Sequence, residues 1–276
     1  MKKKKIEIKW KNIFLLLILL LGSIGLIYSA INLIKWKFDS KKTDEQINKV
    51  QEKIIIEEKE DTENTIIIEQ NEEVPKANPY WDYIKMNLID VNFDNLKSIN
   101  NQTKGWIQVI GTNINYPFVQ TSDNKYYLTH TYDKSFNNAG WIFLDYRNNI
   151  NELGKNTIIY GHSRLDKTMF GSLKNILSSG WLNDTNNYVI KLSTEKENTL
   201  WQVFSVYHIP TTSDYIKTDF NSNEEFKNFA DMLINRSAHN FNTSVSNTDR
   251  VLTLSTCYNE NNKVVLHAKL IKREGR

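Results

Sequence analysis

The run from Ile13 to Ile34, IFLLLILLLGSIGLIYSAINLI, contains no charged side chain. At 1.5 Å of rise per residue, about 20 such residues cross the hydrocarbon core of a bilayer. A cleaved signal peptide is the rival reading. Its apolar core would be too long, and Tyr28 stands where a small residue is wanted before a cut after Ala30. The run is therefore expected to be an uncleaved transmembrane anchor over 13–34. Residues 1–12 carry six lysines against Glu7 alone, which keeps that end inside, although Lys35 and Lys37 follow the run on its other side. The expectation is a single-pass protein of the cell membrane, with its N-terminus inside and the remainder extracytoplasmic.

Residues 35–78 read as a charged stalk. From Phe38 to Pro75 acids are in excess, glycine is absent, and two isoleucine triplets, Ile54–Ile56 and Ile66–Ile68, are each followed by glutamate. A helical or partly coiled stalk and a disordered spacer both fit this composition. Pro75 and Pro79 end it, and a compact domain is expected over 79–276. The formal charge of +3 hides these two opposed segments. Outside the N-terminus no basic cluster is interleaved with aromatics, so nucleic acid is not expected as a partner. One cysteine excludes an internal disulfide and a cysteine metal site, and the histidines lack ligand spacing, so no metal or cofactor is expected.

In the compact part, Trp81, Ile84 and Leu88, then Phe93, Leu96 and Ile99, have helical spacing and predict two short helices. Short strands between turns follow: GWIQVIGTNINYPFVQ, GWIFLDYRN, NTIIYGHS, NYVIKLS, LWQVFSVYHI, RVLTLSTC and KVVLHAKLI. Strands at this density argue for a closed or nearly closed β-barrel with peripheral helices, a mainly β fold. A late helix is expected from an Asn223 cap with Glu224 and Glu225 in its first turn, its apolar face made by Phe226, Phe229, Ala230 and Leu233.

The lone cysteine ends an alternating strand in VLTLSTCYNENNKVVLHAKL. Leu252 and Leu254 point one way; Val251, Thr253, Ser255 and Cys257 point the other. After the loop, Val264, Leu266, Ala268 and Leu270 form an apolar face, with Lys263, His267 and Lys269 opposite. A thiol on the polar side of a hairpin suggests chemistry rather than packing. A thiol near pKa 8.5 needs a base or an ion-pair partner to act as a nucleophile. Of His130, His162, His208, His239 and His267, the residues alone favour His162, which follows an apolar strand and Gly161 at a loop. The other four remain open on those grounds.

TLSTC at 253–257, IIYGHS at 158–163 and NINYPFVQTSDNKYYL at 113–128 together resemble the sortase family. GWIFLDYRN at 140–148 and TMFGSLKNIL at 168–177 are similar to its class B. The resemblance implies an eight-stranded sortase-type barrel and a cysteine transpeptidase of the Gram-positive envelope. Such an enzyme cleaves a sorting pentapeptide, NPQTN-like in many class B members, after its threonine. It passes the surface protein to an amine of a peptidoglycan precursor. Cys257 would be the nucleophile and His162 the general acid and base. The N–H of Tyr258 would help hold the oxyanion, with Ser255 and Thr256 lining the substrate groove. Relatives carry an arginine where this chain has Lys263, and lysine is a mobile point charge rather than a planar fork. Arg250 and Arg164 are other cations that would have to reach in. The sorting peptide, the precursor amine and the membrane are the implied partners. Two further functions stay open: a thiol peptidase that only hydrolyses, and a weakly active module that binds sorting signals. Tyr126 and Tyr127 are read as core and groove wall, and Asp145, Tyr146 and Arg147 as a structural turn.

Overall fold

The computed structural model describes residues 10–68, 70, 74–257 and 261–276, with Cys257 described by its backbone. Tyr258 and the lysines before Trp10 lie outside the described residues. Helix α1 (Trp10–Lys53) contains the uncharged run. Among the described residues it is the one helix long and apolar enough to cross a membrane, and its apolar window is entirely unburied. Burial on α1 begins only at Asp39, and Thr43, Gln46 and Val50 then pack against the rest of the protein at helical spacing.

Eight strands close into a barrel: β4 (Thr103–Val109), β5 (Asn115–Val119), β6 (Phe143–Leu144), β7 (Asn156–Tyr160), β8 (Val189–Thr194), β9 (Glu197–Pro210), β10 (Val251–Cys257) and β11 (Asn262–Gly275). Their order is β10-β7-β6-β5-β4-β8-β9-β11, and the β10–β11 pairing closes the ring. Closure removes the unpaired edges that an open sheet would present. The barrel and its strands are those expected from the alternating segments.

Alternation divides the strands between two cores. Leu252, Leu254, Val264, Leu266, Ala268 and Leu270 point into the barrel, where Trp106, Trp141 and Trp201 are fully buried. Val251 and Val265 point outward into a second cluster with Phe204, Tyr207 and Tyr215. Helix α5 (Asn223–Asn235) covers that cluster with Phe226, Phe229, Ala230 and Leu233. The outer face of the β10–β11 hairpin, read from the sequence as its polar side, is thus buried. Its polar residues are buried with it, Thr253 and His267 at 0% exposure. The cap of α5 is Ser222 rather than Asn223: its side chain accepts the N–H of Glu225 at 3.1 Å.

The entry to the barrel differs from the sequence expectation in two places. The first short helix, α2 (Tyr80–Tyr83), ends before Leu88, which opens strand β3 (Leu88–Val91) instead. The second, α3, is Asp94–Ile99, and a single-turn helix α4 (Ser179–Leu182) precedes β8. Within the range read as stalk, β1 (Ile56–Lys59) pairs antiparallel with β3, and β2 (Thr65–Ile67) adds to the free side of β11. Buried charges tie this segment down. Lys272, 0% exposed, donates to Asp61 Oδ1 at 2.5 Å and to the carbonyls of Ile84 and Met86. Glu274 accepts from Thr62 and Thr65 and pairs with Lys59 at 3.0 Å. The compact unit therefore takes in β1 and β2 as well as the packed turns of α1.

Candidate active site

Strands β7 and β10 run parallel, with Tyr160 opposite Ser255. Two residues further along each chain stand His162 and Cys257, so parallel pairing delivers both to the same mouth of the barrel. The neighbouring antiparallel pair sets the backbone of Cys257 opposite Lys263 at the start of β11. Residues far apart in the chain arrive at one rim because three adjacent strands end or begin there.

A cleft of about 580 Å³ opens at this rim. His162, Ser255, Thr256 and Lys263 line it, with Phe143 and Tyr160 at the barrel side. Asn124 and Leu128 form one wall; Thr211, Thr212, Ser213, Tyr215 and Ile216 form the other. This volume suits a short peptide segment rather than a single small ion.

The imidazole of His162 is held from below. Its Nε2–H donates to the carbonyl of Leu128 at 2.8 Å. A carbonyl only accepts, so in the neutral ring the proton sits on Nε2 and the lone pair on Nδ1. Nδ1 is then the ring nitrogen left to exchange protons. Gly140 makes this close approach possible. Its φ is +61°, and a Cβ there would lie 2.4 Å from the Tyr127 carbonyl oxygen, 2.9 Å from His162 Cδ2 and 3.0 Å from the Leu128 oxygen. The Leu128 turn is fixed in turn by Asp123, whose Oδ1 accepts the N–H groups of Lys125 and Tyr126.

Ser255 shares a hydrogen bond of 2.9 Å with the Tyr215 hydroxyl, joining β10 to the opposite wall. Thr256 Oγ1, beside Cys257, is buried and has no partner among the described residues. An unsatisfied hydroxyl in a cleft wall costs free energy until a ligand meets it. Behind the cleft, Asp145 is fully buried and organises three of its walls. It accepts from Tyr160 (2.9 Å), from Asn124 (3.0 Å) and from Arg147 at both oxygens (2.9 and 2.7 Å). Arg147 also donates to the Ile216 carbonyl at 2.9 Å. Burial alone would raise the Asp145 pKa; the hydrogen bonds from Arg147 and Tyr160 and the Arg147 charge outweigh it and hold the carboxylate below its ordinary value.

Among the described residues that line the cleft, Lys263 is the only lysine or arginine. Arg164 is committed to Asp166, Thr168 and Ser40. Arg250 precedes Val251, at the end of β10 away from Cys257, about 20 Å off at 3.3 Å per residue. The other histidines are packed or remote. His130 stacks on Tyr126 with centroids 4.0 Å apart, and His239 packs against Tyr188 and Phe241. His208 lies exposed on β9. His267 is buried between Tyr207 and Thr253. Sequence reasoning missed Gly140, Leu128 and the Tyr215–Ile216 wall. Only a glycine before a buried tryptophan hinted at the first; the wall comes from a loop without periodicity.

Known proteins match this chain over the same region. The sortase domain family matches residues 107–271. The sortase B of Staphylococcus aureus is 36% identical over 184 residues, which is 65% of this chain and 75% of that protein. A crystal structure of sortase B from Bacillus anthracis is similar with a TM-score of 0.67 and 32% identity, covering 87% of this chain and 99% of that one. A substrate complex of Staphylococcus aureus sortase B is similar with a TM-score of 0.61 and 36% identity, covering 65% of this chain and 84% of that one. A barrel closed by the β10–β11 hairpin, a peptide-sized cleft at its rim and these matches lead to one conclusion: the chain belongs to class B of the sortase family of cysteine transpeptidases.

Proposed function

We propose that this protein is held in the membrane by residues 13–34 of α1, with its N-terminus inside. Outside the membrane it transfers surface proteins from a sorting pentapeptide to a peptidoglycan amine. The observation that carries the reading is the strand register: Tyr160 opposite Ser255 and Lys263 opposite Cys257 bring His162, Cys257 and Lys263 to one cleft rim.

In the reaction proposed, the Cys257 thiolate attacks the carbonyl carbon of the threonine in the sorting signal. The carbonyl electron pair moves to oxygen, and the charge develops near Lys263 and the N–H of Tyr258. Collapse of this intermediate breaks the C–N bond, and His162 gives the leaving amine its proton from Nδ1. The product is a thioester on Cys257. An incoming amine attacks that thioester, His162 Nδ1 takes the amine's proton, and the thiolate leaves. Atoms and charges are restored after one turnover, and no cofactor is consumed. Ser255 and Thr256 contribute to the groove, the free Thr256 hydroxyl being a ready donor to a substrate carbonyl. The substrate complex known for the Staphylococcus aureus relative supports a peptide in the equivalent cleft.

Incubating the protein with NPQTN-like peptides, with and without an amine acceptor, tests this. The expected products are the amide when acceptor is present and the free acid slowly without it. Cys257→Ala should abolish both and His162→Ala nearly so. Free acid as the sole product under abundant acceptor would leave a hydrolytic thiol peptidase instead.

A further inference from the structure

The loops beside His162 carry apolar side chains that stay exposed among the described residues. Phe136 is 64% exposed and Leu165 82%. Each sits on a small hairpin, one closed by the His130–Phe136 bridge and the other by Ser163–Met169. Lys134 and Lys167, both at φ 66°, mark the tips, and Lys167 is exposed.

Both hairpins meet α1 at its first buried turn. Asn138 and Asn137 donate to the Asp39 side chain and carbonyl at 3.1 and 3.0 Å. Arg164 donates to Ser40 Oγ at 2.7 Å, and Lys42 donates to the Phe136 carbonyl at 3.2 Å. N-terminal to Asp39, α1 is exposed, with Trp36 and Phe38 alternating with Lys35 and Lys37. From Ile34, the end of the uncharged run, to Asp39 and Lys42 is about 7 to 12 Å along the helix axis. The headgroup layer on one side of a bilayer is about 5 to 8 Å thick. The hairpins are therefore attached at the height where headgroups end.

We propose that the 130–136 and 163–169 hairpins rest on the bilayer that α1 crosses, with Phe136 and Leu165 inserted among the headgroups of an anionic surface. The inference rests on the membrane reading of α1. Apolar side chains flanked by lysines are the pattern of interfacial binding, and anionic lipid attracts the basic groups. The signs agree. Lys35, Lys37 and Lys167 are exposed, whereas the acids of the hairpins are turned inward. Asp133 accepts from Thr131, Ser135 and Gln46, and Asp166 from Arg164, Thr168 and Ser40. The hairpins also adjoin the cleft: one follows the Leu128 carbonyl that holds His162, and the other starts directly after His162. Lipid contact would hold the active-site rim close to the membrane and brace the turn under the imidazole.

The test uses the full chain in a Cys257→Ala background, reconstituted at low density in vesicles of phosphatidylglycerol and phosphatidylcholine. Single cysteines replace Ile24, Phe136, Leu165 or Glu152 and carry an environment-sensitive fluorophore; a fraction of lipid bears a shallow nitroxide quencher. Glu152 is exposed before β7, at the opposite mouth of the barrel, and serves as control. Probes at 136 and 165 should lose emission to the shallow quencher, as side chains buried at the headgroup boundary would, with the probe at 152 unchanged. Quenching at 24 with none at 136 and 165 would leave α1 in the bilayer and overturn the hairpin contact. A blue-shifted but unquenched probe at 136 or 165 would assign the patch to a second copy of the chain, which also overturns it. No quenching at 24 would remove the membrane seat itself, and the proposal with it.

Discussion

At the scale of single residues, the cleft depends on small distances that admit little change. Gly140→Ala would put a methyl group against two carbonyl oxygens and the His162 ring at a positive φ. Strain of about 1–3 kcal/mol is expected from the backbone conformation alone. The Leu128 carbonyl would move with it, so kcat should fall more than stability predicts; urea denaturation beside steady-state rates checks this. Lys263 lines the cleft opposite the backbone of Cys257. If its charge meets the developing oxyanion, Lys263→Ala should lower kcat by up to about 10²-fold, roughly 3 kcal/mol, while Lys263→Arg keeps or raises the rate. An unchanged rate in the alanine variant would take Lys263 out of the mechanism.

At the scale of elements, the segment before the barrel is structural. β1 and β2 cover charges that would otherwise be stranded: Lys272 at 0% exposure and Glu274 at 3%. Removing Asp61, Lys59 and the Thr62–Thr65 hydroxyls would leave both without side-chain partners among the described residues. A buried charge that loses its partner costs about 3–5 kcal/mol. A chain beginning at Pro79 should therefore melt well below one beginning at Ile54, by thermal denaturation of the two side by side. Equal melting temperatures would show that β1 and β2 are decoration. The strands themselves were legible, because alternation of apolar residues reports one buried face. The burial of the opposite face was not. Thr253, His267 and Lys269 read as a polar side, and α5, about fifteen residues earlier in the chain than β10, packs over that face.

At the scale of the whole molecule, that second core makes the fold sensitive to acid. His267 is fully buried; Thr253 Oγ1 donates to Asn156, so His267 Nδ1–H donates to Thr253 and the Tyr207 hydroxyl donates to Nε2. Burial, with the nearby Arg236 charge, pushes its pKa down to about 3. The unfolded chain takes up this proton near pH 6.5 and the folded protein does not. The sign follows: stability from this group is full above pH 6.5 and falls as pH drops toward 3, by up to about 1.4 kcal/mol per pH unit. Urea titrations at pH 6.5, 5.5 and 4.5 should show that slope, and His267→Gln should flatten it. An identical slope in the variant would assign acid unfolding to other groups.

By itself the sequence determined the uncharged helix, the alternating strands and, through TLSTC and the Gly161–His162 pair, the family. These are local signals, carried by residues within one element. Only the tertiary structure decided that His162 and Lys263 share a rim, that Gly140 seats the imidazole, that Asp145 binds three walls and that β1, β2 and the packed turns of α1 belong to the fold. Each of those facts is a contact between segments distant in the chain. Strand register and barrel closure set such contacts, and neither leaves a periodic trace in the residues themselves.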